Sequence, residues 1–440
     1  MMQQNNVQLE HGHIETLFEL HQLNPLLYNA TISITAPHVA AVYTHVARDH
    51  QRFVHAPGFA RGQAPLSYVE ENFRPTISHY VEQFLFKYVV INAFYREIRK
   101  RKLVVAGQPR LTSVSLEPSQ GARFTFEVTI MPSVELQEWK YFPFKAPKRK
   151  KYKDLDRQVE AFINEEKENH NKHTDAAAKI GDWVSFDICL VDENKQPIVQ
   201  GHKNYLWLKL GDEEADSGLR DIFLGKSVGD IFYTTNKSLA DYFSDIETNT
   251  TFCITVTDIV HHSFFCLESF KKYFKLKTNK EIYQKLVEVF SYRNDLSQRR
   301  SMVEEAFKLL LAKHRFTVPN HLVLRKQKEV LEAMQDNPDY HVYRMQKDFE
   351  EQVRLLADKQ AREELIIDHI SYQEGIVATN NDIKTYLNLI KRPRTKEFIY
   401  FTPPVSKLMS KETPVSAEEL RQICTREKTL NHIIFHLTQK

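Results

Sequence analysis

The string with the strongest claim on chemistry is Gly225, Lys226, Ser227, the closing triplet of a phosphate-binding loop. Such a loop needs a second glycine five residues earlier, and position 220 is Arg220. Without it the backbone amides form no nest for a phosphate, and no helical pattern follows, so a turn in a sheet is expected and nucleotide binding is not. Nineteen histidines raise the question of a metal, but no His-Glu-x-x-His motif occurs. His11, His13 and His21 lie in a polar N-terminal stretch, and His170 and His173 in a charged one, with no convergent ligand set, so no metal is expected. No Gly-x-Ser-x-Gly elbow appears. Cys189, Cys253, Cys266 and Cys424 are 64, 13 and 158 positions apart, which fits neither paired zinc ligands nor a disulfide framework. Reduced thiols in a cytoplasmic protein, with no cofactor and no covalent catalysis, are the expectation.

Two basic clusters remain. Lys148, Arg149, Lys150, Lys151 and Lys153 form one, and Arg96, Arg99, Lys100, Arg101 and Lys102 the other. Each would favour RNA phosphates by releasing counterions. Each also fits a blander role, as a solvated linker and as a helix end that complements the helix dipole. The chain carries 60 Lys and Arg against 57 Asp and Glu, so it is no general polyanion binder and any such contact is a local patch.

These residues must be carried by about three domains, given 440 residues at roughly 150 per domain. Glycine numbers 12, where average usage would give roughly 31, which points to a helix-rich chain. Six of the 12 fall between Gly181 and Gly229, and only Gly375 follows, so the middle should be turn-rich sheet and the tail long helices. Upstream, residues 31–36 alternate as a strand, 39–50 and 66–102 carry helical spacing, and SVSL with FTFEVTI reads as a hairpin. From Pro147 a basic linker leads into a charged, exposed helix with few core candidates. Residues 180–260 alternate around the glycine turns as a small antiparallel sheet. In the tail, Val303, Ala306, Phe307, Leu310 and Leu311 share one helical face, Phe349, Val353, Leu356 and Ala357 repeat it, Pro319 suits a helix entrance and Asn381 a cap. No internal repeat is found. The first residues lack the pattern of a secretory signal. The most apolar run, FLFKYVVINAFY, is short and broken by Lys87, so no membrane span is expected.

Between the first helical stretches lies PGFARGQAP, residues 57–65. In spelling and placement it resembles the ribosome-docking loop of trigger factors, Pro-Gly-Phe-Arg-x-Gly-Lys-x-Pro, with Pro57, Gly58, Phe59, Gly62 and Pro65 matching. Ala60 and Gln63 replace the family's arginine and lysine, leaving Arg61 as the loop's cation. The resemblance continues through LSYVEENF, VAGQPRL and MPSVELQEW. It resumes in IGDWVSFD and GLRDIFLGKSVGD, similar to an FKBP-type prolyl isomerase domain, and in FTVPNHLVLRKQKEVL of a helical C-terminal domain. It implies an α+β multidomain, helix-rich chain. Residues 1–27 would be an N-terminal extension, 28–148 an α+β ribosome-binding-type domain, 149–174 a basic linker and helix, 175–262 a small antiparallel FKBP-like domain, and 263–440 an elongated all-helical chaperone domain.

An isomerase pocket works through apolar aromatic walls that favour the twisted amide, with no nucleophile. At the family's aromatic positions this chain has Ile188, Ile198 and Val199, and the pocket floor reads Asp216, Ser217, Gly218, Leu219. Only Tyr242 and Phe252 keep aromatic character, and Phe252 equally suits a plain core position. A carboxylate at 216 would be costly to bury unpaired, so the pocket should be rebuilt or open, and activity weak or absent. The resemblance thus implies an ATP-independent cytoplasmic chaperone for nascent or unfolded polypeptides. Its partners would be the ribosome, both exit-site protein and rRNA, contacted through Gly58, Phe59, Ala60, Arg61, Gly62 and Gln63. It leaves room for a homodimer off the ribosome, and brings the family's association with protein transport and cell division. An active prolyl isomerase and a basic RNA-binding protein are the alternatives.

Overall fold

The structure is a computed structural model that describes residues 16–132, 134–148, 154–172, 177–199, 203–245, 250–293, 295–335, 339–403, 406–408 and 411–439. The first domain builds an antiparallel sheet from β1 (Thr16–Gln22), β2 (Leu27–Ile34), β3 (Val105–Glu117) and β4 (Gly121–Ile130), in the order β1-β2-β4-β3. Alternate residues Ala30, Ile32 and Ile34 of β2 and Phe124, Phe126 and Val128 of β4 are buried, as the two-residue period of a strand requires. They lie in one core with residues of α1 (Ala36–Phe53), α2 (Leu66–Asn72), α3 (Arg74–Leu85) and α4 (Ile91–Lys100). Gly121 closes the β3–β4 turn at φ +99°, and a Cβ there would stand 2.3 Å from the Ile34 carbonyl oxygen, so only glycine fits. The expected N-terminal extension needs correction, because Thr16–Gln22 pairs along β2 from Thr16↔Ile34 to Gln22↔Tyr28 and buries Phe18. His11 and His13 lie outside the described residues.

After β4 the chain first runs against the C-terminal helices, and residues 149–153 of the expected basic linker lie outside the described residues. Trp139 and Phe142 are buried against the C-terminal helices, and α5 (Leu155–Lys172) buries Leu155 and Val159. Glu166 of α5 is wholly buried, ion-paired with Arg392 and accepting the Phe265 amide. The helix is exposed along most of its length, as its charge implies, with Leu155, Val159 and Glu166 as its buried positions. Its apolar face was hidden by the charged residues of the other face.

The middle domain comprises β5 (Trp183–Val191), β6 (Asn204–Lys209), α6 (Ser217–Phe223), β7 (Ile231–Thr234), α7 (Lys237–Phe243) and β8 (Thr251–Val260). All nine residues of β5 are buried, as in a strand covered on both faces. On one side Val184, Phe186 and Ile188 share a core with the first domain, and on the other Trp183 packs with C-terminal residues.

The C-terminal region contributes α8 (Leu267–Tyr273), α9 (Asn279–Phe290), α10 (Gln298–Lys313), α11 (Asn320–Gln335), α12 (Tyr340–Tyr343), α13 (Phe349–Gln373), α14 (Asn380–Ile390) and α15 (Ala417–Thr438). Short hairpins β9–β10 (Tyr292–Arg293, Leu296–Ser297) and β11–β12 (Lys407–Leu408, Lys411–Glu412) interrupt them. Val303, Ala306, Phe307 and Leu310 are buried together as the spacing requires. The region is not all helix, however. β13 (Val415–Ser416) pairs with Trp207 and Leu206 and extends the middle sheet to the order β13-β6-β5-β8-β7. The α14 cap is Thr379 rather than Asn381: its hydroxyl accepts from the Asp382 amide at 3.3 Å while the Asp382 carboxylate accepts from the Thr379 amide at 2.8 Å.

Candidate functional site

Three places were singled out by residue type or arise from the packing. The loop between α1 and α2 is the first. Gly58 and Gly62 take φ of +84° and +78°, and turns join Phe59 N to Ala56 O at 3.1 Å and Gln63 N to Ala60 O at 3.0 Å. Gln51 Nε2 ties the far end to Ala64 O. Ala60, Arg61, Gly62 and Gln63 are exposed, and Phe59 is 37% exposed with its ring 5.1 Å from Tyr68. Arg61 stands 5.9 Å over the ring of Phe53, itself 44% exposed. Phe53 was not foreseen; its signal was an aromatic ending a helix beside a glycine-flanked loop. The loop is thus an outward finger with apolar rings and one guanidinium at its tip.

The basic clusters fare differently. Arg99 pairs with Glu418, Arg101 pairs with Glu97 and lies 4.4 Å over Phe18, and Arg96 reaches Thr16 Oγ1 at 3.4 Å, so the three arginines of this cluster are engaged in holding the fold, while Lys100 and Lys102 are exposed. Lys148 is exposed, while Arg149, Lys150, Lys151 and Lys153 lie outside the described residues. The Gly225-Lys226-Ser227 amides are consumed locally, by Ala178 O, Phe223 O and the Asp230 carboxylate, so the stretch is a turn. Among the described residues no His, Cys, Asp or Glu group is arranged to hold a metal ion, and no helix is long and apolar enough to cross a membrane.

The second place surrounds Tyr242 and Phe252. Phe252 is wholly buried, its ring 5.6 Å from Phe243. Phe243 in turn meets Phe84 at 5.3 Å and Tyr88 at 5.8 Å, both from the first domain. The pocket expected to be rebuilt or open has its aromatic space filled by these rings. Asp216 is buried but not unpaired, because its Oδ1 accepts the Glu412 amide at 2.7 Å from β12. The C-terminal hairpin that solves this burial problem lies 196 residues away and could not be read from the motif.

The third place was not localised by sequence. Between α4 and β3 of the first domain and α10, α11, α13 and α15 of the C-terminal region lies a cavity of about 1060 Å³. Tyr95, Ile98, Val105, Val318, Leu322, Leu356, Tyr400 and Phe401 supply its apolar surface. Charged side chains of both signs, among them Arg300, Glu304, Lys326, Lys359, Glu364 and Arg426, interleave with them. Arg426 Nη1 lies 3.1 Å from Glu364, and Lys326 bonds Glu364 at 2.8 Å. Burial works against ionising Glu364, yet Arg426 and Lys326 outweigh it and hold the carboxyl below its ordinary range. Behind the wall, the wholly buried Glu427 accepts the amides of Tyr400 and Phe401. Burial pushes its carboxyl up to about 7, against the opposing pull of the Phe401 amide and Arg299.

Fold and site together define a binding scaffold, in which one chain carries an exposed finger and a mixed apolar and charged cavity. Residues 18–165 match the family model described as bacterial trigger factor protein, and residues 278–434 the model described as its C-terminus. The trigger factor of Geotalea daltonii is 22% identical over 381 residues, 83% of this chain and 85% of that protein. That of Carboxydothermus hydrogenoformans is 20% identical over 421 residues, 92% of this chain and 95% of its own. A solved trigger factor chaperone structure aligns over 95% of this chain at 15% identity, with a TM-score of 0.36. The chain belongs to the trigger factor family, as a divergent member, and is an ATP-independent molecular chaperone.

Proposed function

We propose that the cavity between the first domain and the C-terminal helices receives segments of nascent or unfolded polypeptide, while the loop 57–65 docks the protein beside the ribosomal exit. The observation that carries this reading is the composition of the cavity wall, where Ile98, Leu322, Leu356 and Tyr400 alternate with cations and anions. At about 1060 Å³ the space reaches the upper end of the ~300–1,000 Å³ typical of ligand pockets. Apolar patches interrupted by both signs of charge make many weak contacts and select little by sequence, as a holding chaperone requires. At the finger, Phe59 and Phe53 would enter a groove of an exit-site protein while Arg61 pairs with rRNA phosphate or a carboxylate.

Prolyl isomerase activity is weak or absent on this reading, because Ile188, Ile198, Val199 and Asp216 replace the expected pocket residues and Phe252 serves the core. The RNA-binding alternative loses support where Arg99 and Arg101 are already ion-paired. Light scattering of an aggregating client is the test. Suppression at stoichiometric protein, without ATP, is expected, and aggregation at the unassisted rate would refute the holding role.

A further inference from the structure

From Arg74 to Lys100 the chain runs through α3, a π-helical turn at Phe86–Val90, and α4. Tyr80, Phe84 and Tyr88 recur every fourth residue, which places them along one stripe. The Tyr80 and Phe84 rings are 6.1 Å apart and stacked, and Phe84 and Tyr88 are 4.8 Å apart. All three are buried, and their partners lie in the middle domain. Both Phe84 and Tyr88 pack on Phe243, which covers Phe252. The Tyr80 hydroxyl lies 2.9 Å from Thr250 Oγ1, and the Tyr88 hydroxyl donates to Ile188 O at 3.4 Å. A π-helical turn at this point shifts the register of the following residues relative to a continuous α-helix, a feature that recurs at functional positions.

A polar latch borders the stripe. Gln83 Oε1 accepts from Ser244 Oγ at 2.7 Å and from the Asp245 amide at 3.0 Å. Lys87 Nζ donates to the Tyr242 carbonyl and lies 5.3 Å over the Tyr242 ring. Both latch residues hold the segment Tyr242–Asp245, which carries the one pocket aromatic that is not wholly buried.

We propose that this contact is an autoinhibitory seal: the Tyr80–Phe84–Tyr88 stripe closes the aromatic pocket of the middle domain, and a short apolar peptide enters only when the two domains part. The inference is independent of the cavity reading, since it concerns a different pair of surfaces. An intramolecular occupant competes at an effective concentration on the order of millimolar or more, and apparent affinity falls by the fraction of molecules that are open.

The test uses the full chain and a fluorescent Ala-Leu-Pro-Phe peptide, read by anisotropy. The double variant Gln83→Ala, Lys87→Ala removes the latch and leaves the three rings of the stripe in place, and Phe84→Ala removes the centre of the stripe. Both should bind the peptide at least about tenfold more tightly than wild type, a difference of roughly 1.4 kcal/mol. Adding Tyr242→Ala to the double variant should reverse the gain, which separates the pocket from general exposure of apolar surface. If Phe84→Ala does not fold, the double variant decides. Equal binding by wild type and double variant, whether tight or absent, overturns the seal, as does a gain that survives Tyr242→Ala.

Discussion

Arg426 grips Asp368 through two parallel hydrogen bonds, Nε to Oδ1 at 2.9 Å and Nη2 to Oδ2 at 2.8 Å, and thereby ties α15 to α13 under the cavity. Both side chains are almost wholly buried. Burial raises the Asp368 carboxyl, and Arg426 pulls against it. Removing one partner leaves the other charge stranded. Asp368→Asn or Arg426→Met should each cost about 3–5 kcal/mol, seen as a lower urea midpoint. The combined Asp368→Leu, Arg426→Met variant should recover much of that loss, because Lys326 still answers Glu364. Additive losses in the double variant would contradict the pairing.

Phe59 and Arg61 stand on an exposed loop, so changing them should leave the fold alone. Phe59→Ala, Arg61→Ala should keep stability within about 0.5 kcal/mol, since neither residue fills a core. Its co-sedimentation with ribosomes should fall several-fold, and wild-type binding should weaken with salt. Pelleting equal to wild type would show that the finger is not the anchor.

Glu427 makes stability depend on pH. Its carboxyl titrates at about 7 in the folded protein against an ordinary 4.5, so the folded state holds the proton more tightly than the unfolded chain. The resulting stabilisation is complete below about 4.5 and is lost as pH rises through about 7, an effect on the order of a few kcal/mol. Glu427→Gln keeps an acceptor for the Tyr400 and Phe401 amides and cannot ionise. Thermal melts from pH 4.5 to 8 should therefore show a flatter profile in the variant; identical slopes would assign the pH dependence elsewhere.

Leu356 lies on the cavity wall and is 39% exposed. Leu356→Glu should leave the melting temperature within a few degrees, yet reduce suppression of client aggregation several-fold by adding a charge to apolar surface. Undiminished suppression in a light-scattering assay would place client binding outside this cavity.

Local rules read along the chain were sufficient for much of this molecule. Scarce, clustered glycines located the turn-rich sheet, because positive φ is cheap only for glycine. The three- and four-residue spacing of Val303, Ala306, Phe307 and Leu310 located a buried helical face, and Pro57 to Pro65 located the finger. What the chain could not state were pairings across long separations. Asp216 is made tolerable by Glu412, Phe252 is covered through Phe243 by Phe84, and Arg426 finds Asp368. Periodicity says which side of an element is apolar, but not which surface will meet it. Charge on the opposite face hid the buried side of α5, and a two-residue strand at Val415–Ser416 is too short to show alternation. Sequence alone therefore determined the family, most of the longer elements and the loop that forms the finger; tertiary packing decided that Thr16–Gln22 and Val415–Ser416 become strands, that the aromatic pocket is closed and that the cavity opens between the first domain and the C-terminal helices, because all of these depend on surfaces brought together from distant parts of the chain.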